Sequence, residues 1–565
     1  MRADRYSRRM TGDPHLGQNR AMIANAVRGA GFEPGRYFGE HRPILGLLHT
    51  HSELSPCQRG LHDLALAAQR SLHARGVVGL LAAHSSYNDA LQMGLPGMYY
   101  SLPSRDVTAD GFELSTHLGI DGAIFLVSCD KTLPAAAIAA GRRRDLPSVI
   151  LHGGPILPGE WQGKPIDIGD ASEAPGRVSA GALSAGAARD ICDHACPGAG
   201  GCGMMATSST MAAVLAALGL LLPSSASTPA EDGAKAGEAE LAATYLLGLI
   251  DRGLTAGDIV TKKSLENAVR MVAASGGSTN AVLHIPAIAH AFDLSFGLDE
   301  IRDLLRATPV LLNIRPLGAY RMLDLHQAGG IPSLMKYMIR EGLLHGDALT
   351  VSGSSLADTV AGARDLEFGA GAQDVVRSTR SPLMARSHIS LLEGNVGRCT
   401  GKFNAAGVFS GPAICFDSED AATAAVHAGE VRAGQVMVVR YEGPAGGPGM
   451  REMLNITSAL VGMGLKDSVA FLSDGRTSGV AHARAVCVHA EPEAYHGGTI
   501  ALIEDGDVLT MDPEAGTLML QVDEAIMSAR RAAWVRCSRP AGSTILRRFR
   551  LLAEPASRGC VLRDA

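Results

Sequence analysis

Three side chains of different chemistry fall on successive residues in Ser128-Cys129-Asp130-Lys131-Thr132: a soft thiol, a hard carboxylate and an amine. The string closes the apolar run Gly122 to Val127 and precedes a helix-like stretch from Leu133 to Gly141. A buried strand giving way to a helix is where open α/β sheets carry their chemistry. One short turn there has the donors to serve two metals of different hardness.

Two more cysteines hold comparable places. Cys57 follows a strand-like segment, Ile44 to Leu48, and precedes a helix. Cys202 lies in the glycine-rich loop Cys196-Pro197-Gly198-Ala199-Gly200-Gly201-Cys202-Gly203-Met204, which opens a helix expected from Met205 to Leu222. Thiols ahead of helices, at one edge of one sheet, are expected to have depressed pKa values and to favour the thiolate that binds iron or zinc. The alternative is that each is a small buried hydrophobe, the common fate of a free cysteine. The separations of 72 and 73 residues follow no compact metal-binding rule, and Cys196 competes with Cys202 for the third place.

The carboxylates run in parallel. Asp89 follows the segment Val77 to Ala82, Asp130 follows Cys129, and Glu452 closes Pro448-Gly449-Met450-Arg451-Glu452. Oxygen ligands from separate loops suit Mg²⁺, which keeps positions for water or substrate; solvated loops are the alternative for each. Lys131 is either a surface lysine or one whose amine is modified. The loop Tyr441 to Gly449 lacks the phosphate-cradling glycine patterns, so its glycines point to close approach of a ligand or another domain. Ser473 to Gly479 has no nucleophile-elbow pattern and reads as a turn.

The elements that must position these residues divide the chain in two. From Arg42 to about Ala370, short apolar strands, including Ser148 to His152, alternate with helix-like stretches such as Leu61 to His73. That pattern predicts an α/β fold with a parallel sheet covered on both faces. A loop-like region from Gly362 to Ser390 separates units at 1–370 and 371–565. Beyond it, β-rich segments at Gln435 to Val439, Ser468 to Leu472, Thr499 to Ile503 and Leu518 to Val522 predict a smaller β-barrel-like domain, ending in a helix from Val522 to Trp534.

Composition narrows the function classes. With 51 basic and 57 acidic residues, a net charge of −6 and no basic block, nothing electrostatic argues for nucleic acid, and 4% aromatic content disfavours base stacking. Met1 to Arg20 has no apolar core of a signal sequence, and the longest apolar run, Met211 to Leu222, is too short to span a bilayer and reads as a buried helix. Ten scattered cysteines fit a reducing cytoplasm better than a disulfide scaffold.

Seven strings, in order, carry a resemblance: SPC at 55–57, SYNDALQMGLPGMYYSLPSRD at 86–106, CDKTLPA at 129–135, CPGAGGCGM at 196–204, GGSTNAVLH at 276–284, RYEGPAGGPGMREML at 440–454 and DGRTSG at 474–479. They resemble the dihydroxy-acid dehydratase and phosphogluconate dehydratase family of iron–sulfur hydro-lyases over nearly the whole chain. The resemblance implies a [2Fe–2S] cluster on Cys57, Cys129 and Cys202, which selects Cys202 over Cys196. It implies Mg²⁺ held by Asp89, Asp130, Glu452 and Lys131 as a carbamate, and Ser478 as catalytic base. It further implies a site between the two units, dimers or tetramers, and redox-neutral loss of water from a 2,3-dihydroxy acid to give a 2-keto acid. Departures from the family pattern occur at Gly203-Met204-Met205, at Thr207 to Met211 and at Val480-Ala481-His482-Ala483-Arg484, so the pocket around Ser478 is expected to be altered. The strings at 196–204 and 440–454 resemble the branched-chain dihydroxy-acid enzymes, while Ser208 to Met211, His49-Thr50-His51 and Gly559-Cys560 resemble the sugar-acid enzymes. The expected substrate is 2,3-dihydroxy-3-methylbutanoate, with an aldonate such as gluconate as the alternative and a non-catalytic cluster-bearing sensor as a third reading.

Overall fold

The computed structural model describes residues 15–369, 371–537 and 539–563. Strands β1 (Ile44–His49), β2 (Val78–Ala83), β3 (Gly122–Val127) and β4 (Ser148–His152) form a parallel sheet in the order β2-β1-β3-β4. Every residue of β1, β3 and β4 is buried, which is why they read as continuous apolar runs. Helices α1 (Leu61–Ala74), α2 (Ser101–Thr116) and α3 (Thr132–Arg142) make the three crossovers. The chain leaves β1 toward β2 and returns on the other side to β3. The strand order therefore reverses between β1 and β3, opening a crevice at their carboxyl ends.

The expected alternation stops at β4. After a hairpin of β5 (Gly159–Trp161) and β6 (Lys164–Ile166), the described chain up to Val360 is mainly helical, including α4 (Thr207–Ala217), α5 (Ala234–Arg252), α6 (Lys262–Ser275) and α7 (Asn280–Ala291). All eleven residues of α4 are buried. A helix apolar on every side and a buried strand look alike in sequence, so periodicity alone does not separate them. The run Met211 to Leu222 is divided: α4 ends at Ala217, and Leu221 bridges to Ile150 of β4.

Beyond residue 388 the chain forms β7 (Ile389–Gly394), β8 (Gly397–Phe403), β9 (Phe409–Phe416), β10 (Val436–Val439), β11 (Glu452–Met453), β12 (Ala470–Ser473), β13 (Arg476–Thr477), β14 (Ala485–Glu491), β15 (Val508–Asp512) and β16 (Thr517–Gln521). Eight of these close a barrel in the order β10-β12-β14-β8-β7-β16-β15-β9, while β11 and β13 pair as a separate parallel ribbon. Val436, Val438, Leu472 and Cys487 fill the barrel; Met437, Val439, Phe471 and Val486 pack outside it against the helices at 419–427 and 455–462. Thr499 to Ile503 is not the expected strand but a 3₁₀ turn, Thr499–Leu502, closed by Ala501 N–H donating to the Gly498 carbonyl at 2.9 Å. Its alternating pattern arises because Ile500 and Leu502 both enter the barrel core.

Helix α8 (Glu524–Ala533) lies within the expected Val522 to Trp534, and α9 (Thr544–Leu552) follows. The chain then returns to the first half, where Phe549, Ala556 and Cys560 pack with Leu102, Leu283 and Met450. Arg105, fully buried and 3.2 Å from Asp106, donates to the Gly559 and Cys560 carbonyls at 2.8 and 3.0 Å. The glycine loop 441–449 also meets the first half: at Gly449, with φ of 105°, a Cβ would lie 1.8 Å from the Tyr99 carbonyl oxygen. Among the described residues no helix is long and apolar enough to cross a membrane.

Candidate active site

Four loops converge at the carboxyl edge of the sheet. Cys57 sits in the single turn Pro56–Gln58 after β1. Gln58, wholly buried, accepts a hydrogen bond from Thr50 Oγ1 at 2.7 Å and donates to the Ser128 carbonyl at 2.5 Å, tying this turn to the one after β3. There Cys129 takes a left-handed backbone with φ of 74°, a conformation that costs about 1–2 kcal/mol in a residue with a Cβ, and its thiol lies against that of Cys57. The Cys196 to Cys202 loop is stitched to the turn after β1 and to the segment after β4. Gly200 N–H donates to the Pro56 carbonyl at 3.2 Å, Gly201 N–H to Gly154 at 2.9 Å, and Ile156 N–H to Gly201 at 2.7 Å. Cys196 is exposed, whereas Cys202 is part-buried and feels Asp130 and Glu452 as well as Cys57.

Cys129 and Cys202 are not depressed toward the thiolate. Contact with Cys57 and burial push Cys129 well above the ordinary thiol range, and burial, then Asp130 and Cys57, does the same to Cys202. The shifts run opposite to the expected depression, because contact between the thiols, desolvation and neighbouring negative charge all favour the protonated form.

Beside the thiols, Lys131 is buried among three carboxylates. Its Nζ lies 2.6 Å from Asp89 Oδ2, 3.1 Å from Glu452 Oε2 and 3.7 Å from Asp130 Oδ2. Asp89, Asp130 and Glu452 each present an oxygen within 4.8 Å of the other two. The solvated-surface alternatives for these four residues are thereby overturned, since all are at most 8% exposed. Asp89 Oδ1 and Glu452 Oε1 are buried without a hydrogen-bond partner among the described residues. Burial, with Glu452 and Asp89, pushes Asp130 up to about 7 against the pull of Lys131. Burial also opposes ionisation of Glu452, but Lys131 and Arg476 prevail and hold its carboxyl below the ordinary range. The Lys131 ammonium stands where a divalent cation would be surrounded by hard oxygens.

The second half of the chain supplies Glu452 through the β11–β13 ribbon, in which Glu452 is in register with Arg476. Arg476, fully buried, donates to Glu452 Oε2 at 2.5 Å, to the Met450 carbonyl at 2.9 Å and to Ser101 Oγ at 2.8 Å. Asn280 donates to Thr207 Oγ1 at 3.0 Å and to the Thr477 carbonyl at 3.1 Å. Sequence reasoning gave no role to Gln58, Arg476, Ser101 or Asn280, although the last three lie inside strings it singled out. Ser478 follows the ribbon, 8% exposed, its N–H donating to the Met453 carbonyl at 3.2 Å. Gly479 abuts the amino end of α4, where a Cβ would lie 2.6 Å from Thr207 N. In the divergent segment after Ser478, His482 has a buried Nδ1 without a partner.

The fold and site define an α/β protein joined to a β-barrel, with buried carboxylates and buried or part-buried thiols gathered where the two halves meet. The chain belongs to the dihydroxy-acid/6-phosphogluconate dehydratase family: the model of that family's N-terminal part matches residues 42–359, and the model of its C-terminal part matches 374–560. It is 42% identical over 570 residues, 99% of either chain, to the dihydroxy-acid dehydratase of Chloroflexus aurantiacus. Identity is 43% over 524 residues to that of a Synechococcus species, covering 91% of this chain and 90% of the other. It is 40% over 569 residues to that of Nitrosospira multiformis, covering 99% and 100%.

Proposed function

We propose that this protein is a dihydroxy-acid dehydratase, a hydro-lyase converting 2,3-dihydroxy-3-methylbutanoate to 3-methyl-2-oxobutanoate. The observation that carries this reading is identity of 40–43%, essentially end to end, to proteins of that name. The sugar-acid alternative has no comparable support. Two features that resembled that branch have local duties here: Ser209 Oγ donates to the Cys202 carbonyl at 2.9 Å, and Cys560 packs on Met450.

The donor set suits a [2Fe–2S] cluster on Cys57, Cys129 and Cys202, and Mg²⁺ on Asp89, Asp130, Glu452 and Lys131 as a carbamate. When bound, these groups supply Lewis acidity toward the departing 3-hydroxyl and the carboxylate end of the substrate. The chain's own residues do the rest. Arg476 occupies one oxygen of Glu452 and leaves Oε1 free to act as a ligand. Carbamylation turns Lys131 from the counter-charge of three carboxylates into a further oxygen donor. Ser478, as the base, takes the proton from C2 while the 3-hydroxyl leaves as water. The resulting enol becomes the 2-keto acid with no change of oxidation state. A free serine is far too weak a base for this, so its surroundings must favour the alkoxide by several pKa units. We further propose a two-unit division near residue 370, a homodimer or homotetramer, and a cytoplasmic location.

The test is to reconstitute the protein anaerobically with cluster and Mg²⁺, then follow 2-keto acid formation from 2,3-dihydroxy-3-methylbutanoate, gluconate, xylonate and arabinonate. The branched-chain substrate should lead by about ten-fold or more in kcat/KM. Preference for an aldonate would move the assignment to the sugar-acid branch, and no turnover by loaded protein would indicate a sensor.

A further inference from the structure

Among the described residues, Lys402 is a buried charge with no carboxylate beside it. It lies on β8, 3% exposed, and its register partners on the two flanking strands are Ile389 and Val486. Its Nζ donates to the Gly479 carbonyl at 3.2 Å and to the Ala481 carbonyl at 3.0 Å. Those carbonyls belong to the turn that begins at Ser478. The titratable groups that sense Lys402 are His388 and His482, each pushed down to about 3 by burial first and then by the charge of Lys402, so both are neutral near pH 7 and neither is a counter-ion to it. Burial alone lowers Lys402 to about 8. The same turn meets the amino end of α4, which carries partial positive charge.

An ammonium buried without a counter-ion is costly, and two carbonyl acceptors do not by themselves require a charge. A turn that only needed pinning would be served by a neutral donor. The anion that would justify the charge is a deprotonated serine in the turn itself.

We propose that Lys402 is the positioning residue for Ser478: it fixes the 478–481 turn through two carbonyls, and its unpaired charge, with the amino end of α4, stabilises the serine alkoxide. This rests on the reading of Ser478 as the base. In the step concerned, the Ser478 O–H proton first leaves to solvent. The alkoxide then takes the proton from C2, forming a new O–H bond, and the electron pair of the broken C–H bond forms the C2–C3 double bond as the C3–O pair leaves with the hydroxyl oxygen, which takes a proton from solvent, equal to the one Ser478 released, and departs as water.

The test compares wild type, Lys402→Met, Lys402→Gln, Lys402→Arg and Ser478→Ala, all loaded with cluster and Mg²⁺. Readouts are kcat and KM from pH 6 to 10, melting temperature and cluster absorption. Removing the charge should lower kcat at neutral pH by about 100-fold with little change in KM. It should also move the acid limb of kcat up by about one pH unit or more. Lys402→Arg should keep the wild-type acid limb. Since Lys402→Gln retains a donor for the turn, a wild-type kcat and acid limb in that variant would overturn the inference. An active Ser478→Ala would instead remove the base and the inference together. An inactive Ser478→Ala beside an unshifted Lys402→Gln would remove the inference alone.

Discussion

Lys131 and the three carboxylates around it set up a charge balance that, on the proposed reading, would couple carbamylation of the lysine to Mg²⁺ binding. Replacing an ammonium by a carbamate changes the local charge by two units, which is the charge Mg²⁺ brings. On the proposed reading, the buried site would pass between two states of similar net charge, one with the lysine cation and one with carbamate and metal. Among the thiols, the choice between Cys202 and Cys196 is also a matter of single residues, because both feel Cys57 but only Cys202 also feels Asp130 and Glu452. Cys202→Ser should abolish the visible absorption of the reconstituted cluster, while Cys196→Ser should retain it. Full cluster absorption in Cys202→Ser would move the third ligand elsewhere.

At the level of elements, the loop 441–449 acts as a spacer that sets how closely the ribbon approaches the sheet edge. Gly449 has no room for a side chain against Tyr99, and its φ of 105° adds strain for any other residue. Gly407 has a similar φ of 93° but open space around it, so it isolates the strain from the collision. Gly449→Ala should lower stability by about 2–3 kcal/mol or more and raise the Mg²⁺ concentration needed for half-maximal rate, because Glu452 follows three residues later. Gly407→Ala should lose only about 1 kcal/mol and keep its Mg²⁺ requirement. Thermal melting and Mg²⁺ titration of the two variants check this, and equal Mg²⁺ dependence would show that the loop does not set the position of Glu452.

For the molecule as a whole, burial of neutral histidines predicts the direction of acid sensitivity. His388 and His489 are both held at about 3, chiefly by burial, against about 6.5 when unfolded. Between those values the unfolded chain binds more protons, so stability is full above about pH 6.5 and falls as pH drops toward 3, by up to about 1.4 kcal/mol per pH unit for each group. The guanidinium midpoint of metal-free protein should decline from pH 7 to pH 5, with a shallower decline in His388→Gln. A profile flat over that range would show that these rings are protonated in the folded state. The tail from Phe549 to Cys560, bound by Arg105, unfolds with the whole on this view, since it packs on residues of both halves.

The sequence by itself determined the strands of the sheet, because β1, β3 and β4 are buried on both faces and continuous apolar runs have no other ready place. It determined the turn Cys129-Asp130-Lys131 and the family strings around it, because those depend on residues within a few positions of one another. The end of the strand–helix alternation at His152 was not legible, since helices buried nearly all round, such as α7, show little periodicity. The upward shift of Cys129 and Cys202, the use of Gln58 and Arg476 as ties, and the unpaired charge of Lys402 were also decided only by the tertiary structure. So was the meeting of Lys131 with Glu452, 321 residues away. Burial and charge pairing are set by whichever groups arrive from distant parts of the chain. Local sequence specifies which donors a turn holds, but only the packing of the barrel half on the sheet edge decides what those donors face.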